Sequence, residues 1–183
     1  VAAFGLVGVT IGTVLGGVIG DRYGRRLGLI GSILFFGAMT VASAFVTDVP
    51  SLALVRFFDG LGIGGAIPNG AALISEFTPL RRRAVAIALG MVFIPVGGLL
   101  SGLIGRWALP AVGWEGLFMI AGALPVALGI VFLFVLPESP RFLARKPERR
   151  AQLVKLLARC GQRFGELQRT RLHPELEGDP DLG

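Results

Sequence analysis

Residues 1–20 read VAAFGLVGVTIGTVLGGVIG, residues 21–26 read DRYGRR, and residues 27–47 read LGLIGSILFFGAMTVASAFVT. Two uncharged apolar runs, each about twenty residues long, flank a short turn rich in arginine. That is the length an α-helix needs to cross a bilayer core about 30 Å thick. Helices are the expected form, because backbone groups in hydrocarbon must pair within their own segment. The pattern continues along the chain and predicts five spans, at about 1–20, 27–47, 52–75, 84–106 and 115–136. Breaks are expected at 21–26, 47–51, 76–83 and 107–115, and Pro137-Glu138-Ser139-Pro140 closes the last span. The fold class is therefore all-α integral membrane. Residues 1–140 form a transmembrane helical bundle, and residues 141–183 form a polar extension.

Composition agrees. Of 183 residues, 53% are hydrophobic and only 16% charged, against about 25% in soluble domains. A soluble globular domain and a disordered chain are both excluded. The 28 glycines do not recur at every third position, so collagen is excluded as well. High glycine in an apolar chain fits closely packed membrane helices. Cys160 is the single cysteine, so no intrachain disulfide is expected. The chain begins with Val1 inside an apolar run and lacks a basic leader, so it is expected to be part of a longer protein.

The net charge of +6 is explained by placement. One side of the predicted threading carries Arg22, Arg25, Arg26, Arg81, Arg82, Arg83, Arg141, Arg145, Lys146, Arg149 and Arg150, whereas the other carries only Arg106. The basic side is assigned to the cytoplasm, which puts Trp107 and Trp114 at the outer interface. Residues 141–183 are then a cytoplasmic central loop or tail. A short amphipathic helix is expected near 148–160, with Leu153, Leu156 and Leu157 on one face and Gly161 as its stop. The tail is basic for topological reasons, so no nucleic-acid partner is expected.

Three constellations stand out. Gly8, Gly12, Gly16, Gly20 and Gly24 recur every four residues and form a smooth helical stripe, for packing or for sliding. The stripe enters Gly17-x-x-x-Asp21-Arg22-x-Gly24-Arg25-Arg26, where Asp21 and Glu76 could share Arg25. In the third span, Arg56 precedes Asp59 by three residues, one turn along the same face. The pair either neutralises itself, or Arg56 faces a cavity as an anion site with Asp59 tuning its charge. Gly60, Gly64 and Pro68 adapt that span for close packing, and Asn69 places a donor and an acceptor deep in it.

The Gly17–Arg26 sequence resembles the loop signature of the major facilitator superfamily. There the loop joins the second and third of twelve helices, so the resemblance implies that the five spans are helices two to six of an N-terminal six-helix bundle. The first helix and the second half would then be missing partners. Arg56-x-x-x-Gly60-x-Gly62-x-Gly64-Gly65-Ala66-x-Pro68-Asn69, Ser75-Glu76-Phe77-Thr78-Pro79, Gly113-Trp114 and Leu136-Pro137-Glu138-Ser139-Pro140 are similar to the aromatic acid:proton symporters of that superfamily. The resemblance implies a secondary active transporter in the plasma (inner) membrane, taking up a small organic anion such as an aromatic carboxylate. A proton would be the coupling ion, and no cofactor would be needed. Arg56, Asp59 and Asn69 would serve substrate or coupling. Gly17, Asp21, Arg22, Gly24, Arg25, Arg26 and Glu76 would form a gating loop. A sugar porter is the alternative, since Pro137-Glu138-Ser139-Pro140-Arg141 also resembles that group. Ser101 is the sole hydroxyl between Val85 and Arg106, which favours a flat apolar ligand with one anionic end.

An enzyme is not expected. No span carries a cluster of metal-binding residues. His173 is the single histidine, and Cys160 has no histidine beside it.

Overall fold

The computed structural model describes residues 2–138. The predicted amphipathic helix at 148–160, Cys160 and His173 lie outside the described residues. The described part is all-helical: α1 (Ala2–Tyr23), α2 (Arg25–Ser43), α3 (Val49–Phe77), a 3-10 turn (Leu80–Arg82) and α4 (Arg83–Val135). All four α-helices are long and apolar enough to cross a membrane.

Two expected loops are instead almost entirely helical. At 21–26 only Gly24 leaves the helix, with φ 116° and ψ 142°. Glycine reaches positive φ without a Cβ clash. The Gly24 N–H still donates to the Gly20 carbonyl at 3.1 Å, and the Gly24 carbonyl accepts from Gly28 N–H at 3.0 Å. One residue therefore reorients the chain without leaving its own backbone groups unpaired.

At 107–115 helical geometry persists except at Gly113 (φ 70°, ψ 178°). The sequence predicted two spans here, and the structure joins them through one residue. A straight 53-residue helix would run about 80 Å, far beyond a bilayer core. The contacts show that it reverses instead. Gly90, early in α4, lies against Ile74 near the end of α3. Gly122 and Gly129 run down α2 past Val41 and Leu34, and beyond α4 Glu138 reaches Arg26. Both ends of α4 thus lie at the Gly24 end of the bundle, and the limbs 83–112 and 114–135 double back at Gly113.

The core is built from glycine. Gly8 lies against the Phe57 carbonyl, Gly12 against Leu61, Gly16 against Gly65 and Gly20 against Asn69. All four pairs keep the same offset of 49 residues, so α1 and α3 run parallel with their backbones nearly touching. α2 carries the chain back between them and packs Phe36 on Gly62 and Ser32 on Gly65. Polar side chains inside the helices turn to their own backbone: Thr10 donates to Leu6 O at 3.0 Å and Thr13 to Val9 O at 2.8 Å.

Asp48 starts α3. Its carboxylate accepts from the Ser51 N–H at 2.9 Å, and Pro50 occupies the first turn, an arrangement that favours helix initiation. Hydrogen bonding to Ser51, through its side chain and then its backbone, holds the Asp48 carboxyl below the ordinary aspartate value. A depressed carboxyl contributes stability that is present above the unfolded-state value and lost as pH falls through the folded-state one. The cap is therefore intact at neutral pH and fails only in strong acid. Asp48→Ala should speed amide exchange at Ser51 at neutral pH, and Asp48→Asn should leave it near the parent rate. Equal exchange in all three proteins would remove the cap.

Candidate functional site

The sequence-predicted residues separate into two groups along the bundle. At the Asp48 end, one turn of α3 presents Arg56 and Asp59. Arg56 Nη1 donates to Asp59 Oδ2 at 2.9 Å, with the Asp59 side chain 6% exposed and that of Arg56 28% exposed. Sequence spacing anticipates this pair. It does not anticipate Thr40 of α2, whose hydroxyl donates to Asp59 Oδ1 at 2.8 Å. Nor does it anticipate Phe118 of the second α4 limb, whose ring centroid lies 4.7 Å from the Arg56 guanidinium carbon.

The aspartate thus accepts one hydrogen bond from each of two helices, and a guanidinium on an aromatic face gains a further attraction. Phe118 in turn meets Trp114 edge-on at 6.3 Å. Phe57 and Phe58 are engaged elsewhere: they meet each other at 5.5 Å, and Phe58 meets Phe35 at 6.5 Å. Arg56 therefore commits one nitrogen to Asp59 and its plane to Phe118, while its side chain stays partly accessible. A planar cation of this kind can still offer an edge to a carboxylate.

Asn69 lies elsewhere. It is 0% exposed and donates to the carbonyls of Gly16 and Gly65, both at 2.8 Å. Its two amide hydrogens are used in helix packing, at a different depth in the bundle from Arg56. Pro68 beside it is half-buried, and Gly60 and Gly64 are buried against α1.

At the Gly24 end, Arg25 pairs with exposed Asp21 across the Gly24 joint. Arg22 is exposed, with its guanidinium 5.9 Å from the Tyr23 ring. Arg26 is tied to the end of α4: its backbone N–H donates to Glu138 Oε1 at 3.2 Å, and its guanidinium donates to the Leu133 carbonyl. Glu138 also crowds Gly24, where a methyl would come within 3.0 Å of its carboxylate. In sequence Glu138 stands out only in the motif closing the fifth span, so its contact with the first loop is new. Glu76 sits half-buried in the last turn of α3. Among the described residues, nothing lies within 4 Å of where a Cβ at Gly17 would stand.

The model of the Major Facilitator Superfamily matches residues 1–173. The chain belongs to this superfamily. Among curated relatives, the 4-hydroxybenzoate transporter PcaK of Acinetobacter baylyi is 38% identical over 154 residues, covering 84% of this chain and 34% of the relative. The gallate transporter of Pseudomonas putida is 34% identical over 164 residues, covering 90% of this chain and 36% of the relative. These relatives are transporters, not enzymes, and the chain spans about a third of their length. Among solved structures, the inward-open xylose transporter XylE from E. coli superposes with a TM-score of 0.72 at 25% identity, covering 95% of this chain and 45% of that one. Superfamily membership and several long apolar helices make the chain a multi-pass membrane protein.

Proposed function

We propose that this chain supplies helices two to six of the N-terminal half of a secondary transporter that takes up a small aromatic carboxylate with a proton. The partly accessible Arg56 side chain, held by Asp59 and Phe118 within a helical span, carries the reading. A cation at that depth is costly unless it meets a partner or a ligand, and a guanidinium suits a carboxylate better than a sugar hydroxyl. Two similar relatives are named for aromatic acids.

Asp59 is the coupling group in this reading. Protonation of its carboxylate would loosen Arg56 Nη1 and leave the fork free for an anion, so proton and substrate would load together. The Asp21–Arg25 pair, with Gly24, Arg22, Arg26 and Glu76, would act as the gate. Its exposed ion pair contributes under about 1 kcal/mol, enough to shift states that differ by a few kcal/mol. The bundle would sit in the plasma membrane with the Gly24 end and residues 141–183 on the cytoplasmic side. The partners would be the substrate, the bilayer and the remaining helices of the transporter.

A sugar porter is the second reading, favoured by the likeness to XylE. Uptake of labelled 4-hydroxybenzoate and of labelled xylose by the full-length transporter, with and without a protonophore, separates the readings. Carboxylate uptake that collapses with the protonophore is expected. Xylose uptake alone would replace the reading with the second, and protonophore-insensitive carboxylate uptake would remove the proton.

A further inference from the structure

The geometry points to Asn69 as the positioning residue of the α1–α2 joint, a hydrogen-bonded peg on α3 that fixes where the two helices meet at Gly24. The residues around the peg are spaced four apart on either side of the joint. Gly16 and Gly20 lie on α1, Gly24 is the joint, and Gly28 opens α2. A methyl on Gly20 would overlap the Asn69 Oδ1, and one on Gly28 would stand 2.9 Å from its Cγ and Nδ2. Both glycines leave room for one side chain, and that side chain comes from a third helix.

The amide orientation is set by chemistry. Nδ2 has two carbonyl acceptors, Gly16 O and Gly65 O, each at 2.8 Å. Flipping the group would bring its oxygen against both carbonyls. Oδ1 consequently faces the glycine side and accepts no hydrogen bond among the described residues. A buried carbonyl without a donor is an unfavourable state, so the peg is secured on one edge and unsatisfied on the other. Beside it opens a cleft of about 270 Å³, whose lining includes Gly12, Gly16, Gly28, Ser32 and Gly65. α1 and α2 thus have space to shift around Asn69, and the Asp21–Arg25 pair that straddles the joint must follow. The inference concerns the joint alone and does not depend on the substrate.

The test uses the full-length protein in membranes, with every native cysteine, Cys160 included, replaced by serine and one reporter cysteine at Ile30. Ile30 is 2% exposed and lies on α2 two residues past Gly28. Slow labelling by a permeant maleimide is expected in the parent. Asn69→Leu keeps the branched outline with larger end groups and no donors, and Asn69→Asp keeps the size and shape while leaving at most one donor, the O–H of the protonated acid. Each should raise the labelling rate at least about tenfold, as for local opening of a packed segment. Parent-like labelling in both variants would overturn the proposal, since simple space filling would then suffice. If neither variant accumulates, Gly28→Ala should raise labelling, and adding Asn69→Ala should leave it raised, because the clash is removed but both donors are lost with it. Parent-like labelling in the double variant would equally overturn the proposal.

Discussion

Arg56→Lys in the full-length transporter should cut aromatic-carboxylate uptake at least about tenfold, as expected when a charge-assisted hydrogen bond is lost, while membrane insertion stays at the parent level. The argument is geometric. Arg56 pairs with Asp59 through one nitrogen and lays its plane on Phe118. A lysine could keep the charge near Asp59, but as a compact point charge it would lose the planar face and the fork. Charge is retained, so an effect of this size measures shape. The competing role, mutual neutralisation of Arg56 and Asp59, predicts something different. In that case Arg56→Gln with Asp59→Asn would leave two neutral hydrogen-bonding side chains and restore uptake. The double variant is expected to stay inactive, and recovery of uptake in it would assign the arginine to structure.

The second large effect concerns the α1–α3 contact. Gly12→Leu should eliminate correctly assembled protein, whereas Gly17→Leu, five residues along the same helix, should be tolerated. A Cβ at Gly12 would already stand 2.7 Å from the Leu61 Cα and 2.8 Å from its carbonyl carbon. Backbone cannot rotate aside as a side chain can, so the helices must separate and lose neighbouring contacts along the stripe. Overpacking of this kind costs about 1–3 kcal/mol for small additions, and whole-protein stability is only about 5–15 kcal/mol. A leucine adds four carbons at a place with no room for one. Gly17 meets nothing within 4 Å, so its variant faces no such penalty. Size-exclusion profiles of detergent-solubilised variants read the result. A sharp, parent-like peak for Gly12→Leu would mean that the close approach is not needed.

How much of this was legible in the sequence depends on the range of each contact. The apolar runs mark the helices, and local spacing gives Arg56–Asp59, since residues three apart on one helix share a face; Asp21–Arg25 follows from opposite charges in one short break. The glycine stripe announces a close neighbour without naming it. What stayed hidden were contacts between helices: Thr40 with Asp59, Phe118 with Arg56, Glu138 with Arg26, and Asn69 with the Gly16 carbonyl. In a soluble protein, an alternation of polar and apolar residues reveals which way a helix faces. These helices are apolar nearly all round, so their rotation and depth leave little trace in composition. The two breaks are shorter than expected for a related reason. Charges at 21–26, and a proline and two tryptophans at 107–115, look like linkers, yet one glycine in each case bends the chain while its neighbours stay helical.

The Gly113 reversal also bears on how the protein is made. The limbs 83–112 and 114–135 are joined with no stretch of free chain between them. A nascent polypeptide normally threads one span, lets a hydrated connector emerge, and then returns with the next. Here the returning limb begins before any such connector exists. The two limbs are therefore coupled closely enough to enter the lipid as one hairpin. At the bend, the last carbonyls of the first limb and the first amides of the second have no helical partner, which keeps it at the membrane surface, where water reaches them.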